Sequence, residues 1–374
     1  MHIALFFSLF LLIMGGANLY IYRRFLRRLT PRLNRLAWLI PALLMLGETL
    51  FILDNLLHFL PQSTLLYLIN AAFIGITFML FVLATGYDLL IATSRRVPVD
   101  QERRRFIKQV FDATMLVAAS AYLLRGLSQG LRNPPVKQTV VAVPGVRQRG
   151  FSIVQLSDVH VGRTIRGDFV ADLVARTNQL APDIVAITGD LVDLPVERIR
   201  ADLAPLADLQ APAYFILGNH EYFHGPQAAV EYLRSLGIIP LLNQRVPIKH
   251  AGQTFNLVGI NDLMGQRMGA LPADIPRAFA DCDPELPTIV LAHQPKTIEL
   301  VAAQRCDLML SGHTHGGQIF PFGFLVMIDQ PYLSGLHQHN PQQQIFVSRG
   351  AGYWGPPLRF LAPNEINHIL IEPA

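Results

Sequence analysis

The chain has 374 residues, of which 51% are hydrophobic and only 16% charged, against about 25% charged in an ordinary soluble domain. A mean hydropathy of +0.33 excludes a disordered chain and a wholly soluble one. The net charge of +4 is split, with 13 Lys/Arg against 6 Asp/Glu in residues 1–130 and 18 against 21 in residues 131–374, so the larger part is mildly acidic and argues against a nucleic-acid partner.

Residues 3–22 run 20 positions without a charge, and crossing about 30 Å of hydrocarbon takes roughly 20 apolar residues. This run lacks a basic leader and is long for a cleaved signal, so it reads as a retained helix. Residues 36–60 form a second span, interrupted by Glu48 and Asp54, and residues 63–87 a third without any charge. A fourth and weaker span lies near 110–124. Residues 1–130 are therefore expected to form a multi-span α-helical membrane domain. Glu48 and Asp54 lie in or near the second span, and the stronger reading is not a proton relay, since Asp54 and His58 sit near a helix end and reach the interface.

Orientation follows from the basic loops. Arg23, Arg24, Arg27, Arg28, Arg32 and Arg35 follow the first span, and Arg95, Arg96, Arg103, Arg104, Arg105 and Lys108 follow the third. The positive-inside rule places both loops in the cytoplasm. If the fourth span crosses, the C-terminal domain lies outside. The Arg103-Arg104-Arg105-Phe106-Ile107-Lys108 stretch before a short apolar run resembles a twin-arginine export signal and favours crossing. The expected location is a bacterial inner membrane, with the C-terminal domain on the periplasmic side.

Residues 131–149 read as a linker carrying Asn133-Pro134-Pro135 and Pro144-Gly145. Beyond it, strand-length apolar runs at 151–156, 184–187, 214–217, 255–260, 288–291, 308–310 and 345–348 alternate with helix-like stretches such as 169–179 and 226–236. That alternation predicts an α/β domain over 150–374.

Five of these runs end in polar residues: Asp158 and His160; Gly189-Asp190 with Asp193; Gly218-Asn219-His220-Glu221; His293; and His313 with His315. Each alone is ordinary, since an Asp after a strand is often a cap and a Gly-Asn pair often a turn. Together, groups at the carboxyl ends of strands converge on one site. Carboxylate, amide oxygen and imidazole without thiolate suit Mn²⁺, Fe or Zn²⁺, and two such ions about 3.5–4 Å apart clamp a phosphoryl group for in-line displacement.

The order Asp-x-His, Gly-Asp-x-x-Asp, Gly-Asn-His-Glu, His, Gly-His-x-His resembles the calcineurin-like metallophosphoesterases over about residues 150–370. Ser157–Gly162 and the 350–360 segment with Arg359 look most like a bacterial membrane-associated branch. The resemblance implies two mixed β-sheets in a sandwich flanked by helices. It implies one metal held by Asp158, His160, Asp190 and His315, and a second by Asp190, Asn219, His293 and His313, with Asp190 bridging. His220 would touch the phosphate and Asp193 would orient from behind. The implied activity is hydrolysis of a phosphodiester, phosphomonoester or pyrophosphate by a metal-bridging hydroxide.

Residues 319–328, IFPFGFLVMI, are uncharged and aromatic. They are read first as a buried hairpin and second as a surface that presents a lipid-linked phosphate, as for relatives that act on nucleotide-activated lipid precursors. Arg163, Arg166, His224, His337 and His339 read as ordinary surface or supporting groups. The alternative to an enzyme is a non-enzymatic membrane receptor or transport component with a degenerate phosphoesterase domain.

Overall fold

The computed structural model describes residues 2–29, 36–57, 63–94 and 100–374. Arg32, Arg35, His58, Arg95 and Arg96, to which the sequence assigns topological or interfacial roles, lie outside the described residues. The chain divides into two units, Met1–Leu131 with Gly355–Phe360, and Arg132–Trp354 with Leu361–Ala374.

The first unit is helical: α1 His2–Arg24, α2 Leu39–Leu57, α3 Thr64–Ser94 and α4 Gln101–Gly130. Ile21, Phe25, Leu44, Ala84, Tyr87 and Ala119 pack inward. The outward faces are also apolar, with Leu12, Leu65, Val117 and Leu124 exposed, a pattern that does not suit a helix bathed in water. Among the described residues, two helices, over 64–93 and 101–130, are long and apolar enough to cross a membrane. The weak fourth span thus lies inside a 30-residue helix. Its charged first turns hide it from a hydropathy reading, while the Asp100 side chain caps it by accepting the Arg103 N–H at 2.8 Å.

Gly355–Phe360 belongs to this helical unit. The Arg359 N–H donates to the Gly126 carbonyl at 2.9 Å, and Phe360 sits edge-on to Tyr122 at 4.4 Å. Gly75 and Gly130 have no space for a Cβ beside Leu358 and Pro357. Arg359, singled out in the sequence, is fully buried here.

The second unit is an α/β sandwich of two mixed six-stranded sheets. Its strands are β1 Val136–Val143, β2 Phe151–Leu156, β3 Ile184–Thr188, β4 Ala213–Ile216, β5 Ile239–Pro240, β6 Gln244–His250, β7 Gln253–Gly259, β8 Thr288–Leu291, β9 Leu308–Ser311, β10 Gly335–Asn340, β11 Gln343–Val347 and β12 Ile366–Pro373. One sheet has the order β1-β12-β2-β3-β4-β5, the other β10-β11-β9-β8-β7-β6. The central strands β2, β3, β8 and β9 are buried along their whole length, which explains their largely apolar runs. Phe151, Ile153, Ile184 and Ile216 from one sheet meet Phe255, Leu257, Ile289, Leu310 and Phe346 from the other.

Residues 131–149, expected as a linker, contain β1, which pairs in parallel with β12 from Val136↔Ile366 to Val143↔Pro373. The strand is hard to see because it lies at a sheet edge and buries few of its side chains. Lys137, Gln138 and Thr139 interrupt its apolar pattern.

Candidate active site

β2, β3 and β4 are neighbours in one sheet, and β8 and β9 in the other. The segments that follow their carboxyl ends supply all nine side chains expected at the site. Five of these residues hold left-handed backbone: Asp158 (φ 51°), His160 (φ 56°), Asp190 (φ 51°), His313 (φ 70°) and His315 (φ 51°). Such conformations cost on the order of 1 kcal/mol each in non-glycine residues, and their clustering marks a functional constraint. Gly312 and Gly218 complete the turns. A Cβ on Gly312 would strike Ser157 Oγ and Asp158 Oδ2, and one on Gly218 would strike the Asp190 backbone N and Oδ1.

The side chains form two adjoining groups, Asp158 with His160 and His315, and Asp190 with His293 and His313. Asp158 is wholly buried and accepts from Ser157 Oγ at 2.6 Å and the His313 N–H at 2.9 Å. Its Oδ1 lies 3.4 Å from His315 Nε2. Asp190 Oδ2 lies 3.2 Å from His293 Nε2, 4.0 Å from His160 Nε2 and 3.9 Å from His220 Nε2. One carboxylate oxygen therefore stands between the two groups.

Imidazole tautomers test whether cations fit here. His293 Nδ1 faces the Thr188 carbonyl at 2.8 Å. A carbonyl only accepts, so Nδ1 carries the hydrogen and Nε2 presents its lone pair. That lone pair faces Asp190 Oδ2 and also Asn219 Oδ1, each at 3.2 Å. In the same way His160 Nδ1 donates to Asp193 Oδ1 at 2.8 Å, which leaves its Nε2 opposite His315 Nε2 at 3.0 Å. The Nε2 atoms of His293, His160 and His315 thus converge with carboxylate and amide oxygens, and this N/O donor set fits divalent Mn, Fe or Zn. The convergence also registers as proton affinity: burial lowers the pKa of His293, but Asp190 outweighs it and raises it well above the ordinary histidine value.

Asp193 Oδ1 also takes the His220 Nδ1–H at 2.6 Å, so one oxygen orients two imidazoles. Burial alone would raise the Asp193 pKa, but His160 and His220 hold it well below the carboxylate range. For His220, burial lowers the pKa, whereas the Asp190 charge and the Asp193 hydrogen bond raise it to about 9. Phe223 and Trp354 flank the His220 ring at 5.5 and 6.0 Å, and both are more than half exposed.

Glu221 closes the Gly-Asn-His-Glu stretch, and nothing in the sequence assigns it a role. Its fully buried carboxylate accepts the N–H groups of Asp190, Leu191, Val192 and Gly218 at 3.0, 2.7, 3.1 and 2.7 Å. It thereby ties the loop after β3 to the loop after β4. Thr188, which sets the His293 tautomer, was invisible because its backbone carbonyl does the work.

The residues read as supporting groups divide. His224 lies 6.4 Å from His220, ring to ring. Arg166 pairs with Asp202 at 3.1 Å, and His337 and His339 bond the Ser334 carbonyl and the Tyr332 hydroxyl at 2.9 and 3.0 Å. The buried hairpin expected at 319–328 is overturned: Phe320, Phe322, Phe324, Leu325, Met327 and Ile328 are all exposed, Ile328 by 81%. This segment turns in a short helix, Gly323–Val326, with no buried residue. Gln318 fastens it to Trp354 through two hydrogen bonds of 2.9 and 3.0 Å.

The family profile for calcineurin-like phosphoesterases matches residues 151–317. An uncharacterised metallophosphoesterase from Helicobacter pylori is 37% identical over 334 residues, 88% of each chain. A zebrafish transmembrane protein with metallophosphoesterase domain is 32% identical and covers 97% of this chain and 88% of its own, so that alignment takes in the N-terminal helices. Escherichia coli phosphodiesterase YaeI is 33% identical over 54% of this chain and 75% of its own.

Proposed function

The chain belongs to the calcineurin-like metallophosphoesterases, and from that premise we propose that it is a membrane-anchored dinuclear phosphoesterase acting on a lipid-linked phosphate. The observation that carries the reading is Asp190 Oδ2 standing between the Nε2 atoms of His293 and His160, at 3.2 and 4.0 Å. Asp158, His160, Asp190 and His315 would hold one divalent cation, and Asp190, Asn219, His293 and His313 the other. When bound, such ions neutralise phosphate charge and acidify water near neutral pH.

The chain's own groups do the rest. Asp193 fixes the His160 and His220 rings through one oxygen. His220, raised to about 9, stays protonated at neutral pH and carries a proton for the departing oxygen of the ester. Glu221 keeps the Asp190 loop in the conformation that aims its carboxylate inward.

The lipid reading is supported by the exposed apolar segment that Gln318 ties to Trp354 beside His220. An apolar surface of this kind on the rim of a phosphate site suits acyl chains. Helices over 64–93 and 101–130 would fix the chain in a bilayer, and α1 and α2 would add two further crossings. The basic loops in the sequence support a reading in which the catalytic unit lies on the periplasmic side of a bacterial inner membrane.

The test is metal analysis of the full-length protein in detergent, with hydrolysis of bis-p-nitrophenyl phosphate and of lipid phosphates. About two metals per chain, with activity lost in Asp190→Ala, is the expected result. Hydrolysis undiminished in Asp190→Ala overturns the assignment.

A further inference from the structure

Trp354 lies on the loop after β11, which carries none of the nine site residues. Its ring nevertheless stands 6.0 Å from the His220 ring and at 80° to it. Phe223, from the short helix Asn219–His224, approaches the same imidazole at 5.5 Å and 73°. Two elements thus line one side chain with flat apolar rings. Both rings are more than half exposed, so neither serves the core.

The Trp354 backbone is firmly held. The Gln318 amide donates from Nε2 to the Trp354 carbonyl at 2.9 Å and accepts the Trp354 N–H on Oε1 at 3.0 Å. The Ala351 and Gly352 N–H groups donate to the Ser157 and Asp158 carbonyls at 2.8 and 3.0 Å. A Cβ on Gly352 would strike the Val159 carbonyl. The loop is therefore pinned to the segments that carry Asp158 and His315, while the indole stays exposed. A rigid aromatic ring offers a large contact area with little ordering cost left for a ligand to meet.

We propose that Trp354 is a specificity-determining residue that stacks, with Phe223 alongside, on a flat ring in the departing group of the ester. The inference rests on the phosphoesterase reading, in which His220 meets the departing oxygen, and makes no use of the lipid reading. Aromatic rings pack at centroid separations of roughly 4.5–7 Å, so a ring bonded to that oxygen comes within reach of the rings around His220. An acyl chain has no flat face to match an indole.

Two non-hydrolysable inhibitors, 4-nitrophenylphosphonate and n-hexylphosphonate, test this on the metal-loaded full-length protein in detergent. Both carry an apolar group on the same phosphorus head, and only the first has a flat face. The wild type is expected to prefer the aryl inhibitor. Trp354→Ala is expected to lose about tenfold of that preference, and Trp354→Phe to restore most of it. The chain has two tryptophans, so in Trp38→Phe the tryptophan emission comes from Trp354 alone. The aryl phosphonate should quench it saturably over the concentrations that inhibit, and the hexyl compound should not. This measurement leaves Trp354 in place and carries the test if Trp354→Ala does not fold. An aryl preference unchanged in Trp354→Ala overturns the proposal, and equal loss of both inhibitors would assign the indole to an alkyl chain instead. Inhibition by the aryl phosphonate without saturable quenching also overturns it. The phosphoesterase reading fails on a different result, hydrolysis undiminished in Asp190→Ala.

Discussion

The Glu221 carboxylate accepts the backbone N–H of Asp190 at 3.0 Å, so the residue that faces both His/Asp groups is held by a side chain 31 positions away. The same carboxylate takes three further N–H groups and is wholly buried. Glu221→Gln replaces one accepting oxygen with an amide that points hydrogens at N–H donors. Loss of charged hydrogen bonds with unsatisfied buried donors costs about 2–4 kcal/mol. The expected outcome is a lower melting temperature in EDTA together with reduced metal content after reloading. An unchanged melt and full metal content would remove Glu221 from the site's architecture.

Asp193→Asn should act on catalysis more than on folding, because Asp193 Oδ1 orients His160 and His220 together. The amide cannot supply the charge that raises the His220 pKa. We expect kcat on a soluble ester to fall by roughly 10²-fold or more, with the alkaline limb of the pH–rate profile moving to lower pH. Fully active Asp193→Asn with an unshifted profile would contradict this role.

The metal-free protein should lose stability as pH rises. The folded-state pKa of His220 is raised to about 9 from the ordinary value of 6.5. A histidine of this kind contributes stability that is complete below its unfolded pKa and is lost through the folded one. Thermal melts in EDTA should therefore decline between pH 6.5 and 9. His220→Asn should flatten that decline, and a wild-type curve already flat over this window would refute the linkage.

Phe324 and Ile328 are exposed by 66% and 81% on the segment that Gln318 ties to Trp354. Under the lipid reading, Phe324→Ser with Ile328→Ser should lower hydrolysis of a vesicle-borne phosphate by about tenfold, the effect of losing roughly 1.4 kcal/mol of apolar contact. Activity on bis-p-nitrophenyl phosphate should be spared. Equal losses on both substrates would count against lipid presentation.

The sandwich core offers a control that touches no site residue. Phe151 stacks on Phe255 at 4.7 Å across the two sheets, and both are buried. Phe151→Ala should cost about 3–5 kcal/mol of stability, read as a lower denaturant midpoint.

The nine candidate residues were legible in the sequence as polar groups that each follow an apolar run, and the fold brings them together at the carboxyl ends of β2, β3, β4, β8 and β9. The α/β class was equally legible, since buried strands are written as largely apolar runs alternating with helix-like stretches. Three features were decided only by the folded chain. β1 was hidden because an edge strand needs only one apolar face, and its partner β12 is more than 200 residues away. The exposure of 319–328 follows from what packs over a segment, which composition does not encode. The roles of Glu221 and Thr188 depend on backbone N–H and carbonyl groups, which every residue carries and which acquire direction only when the loops after β3 and β4 meet. Sequence determines which donors exist, and tertiary structure decides which way their lone pairs point.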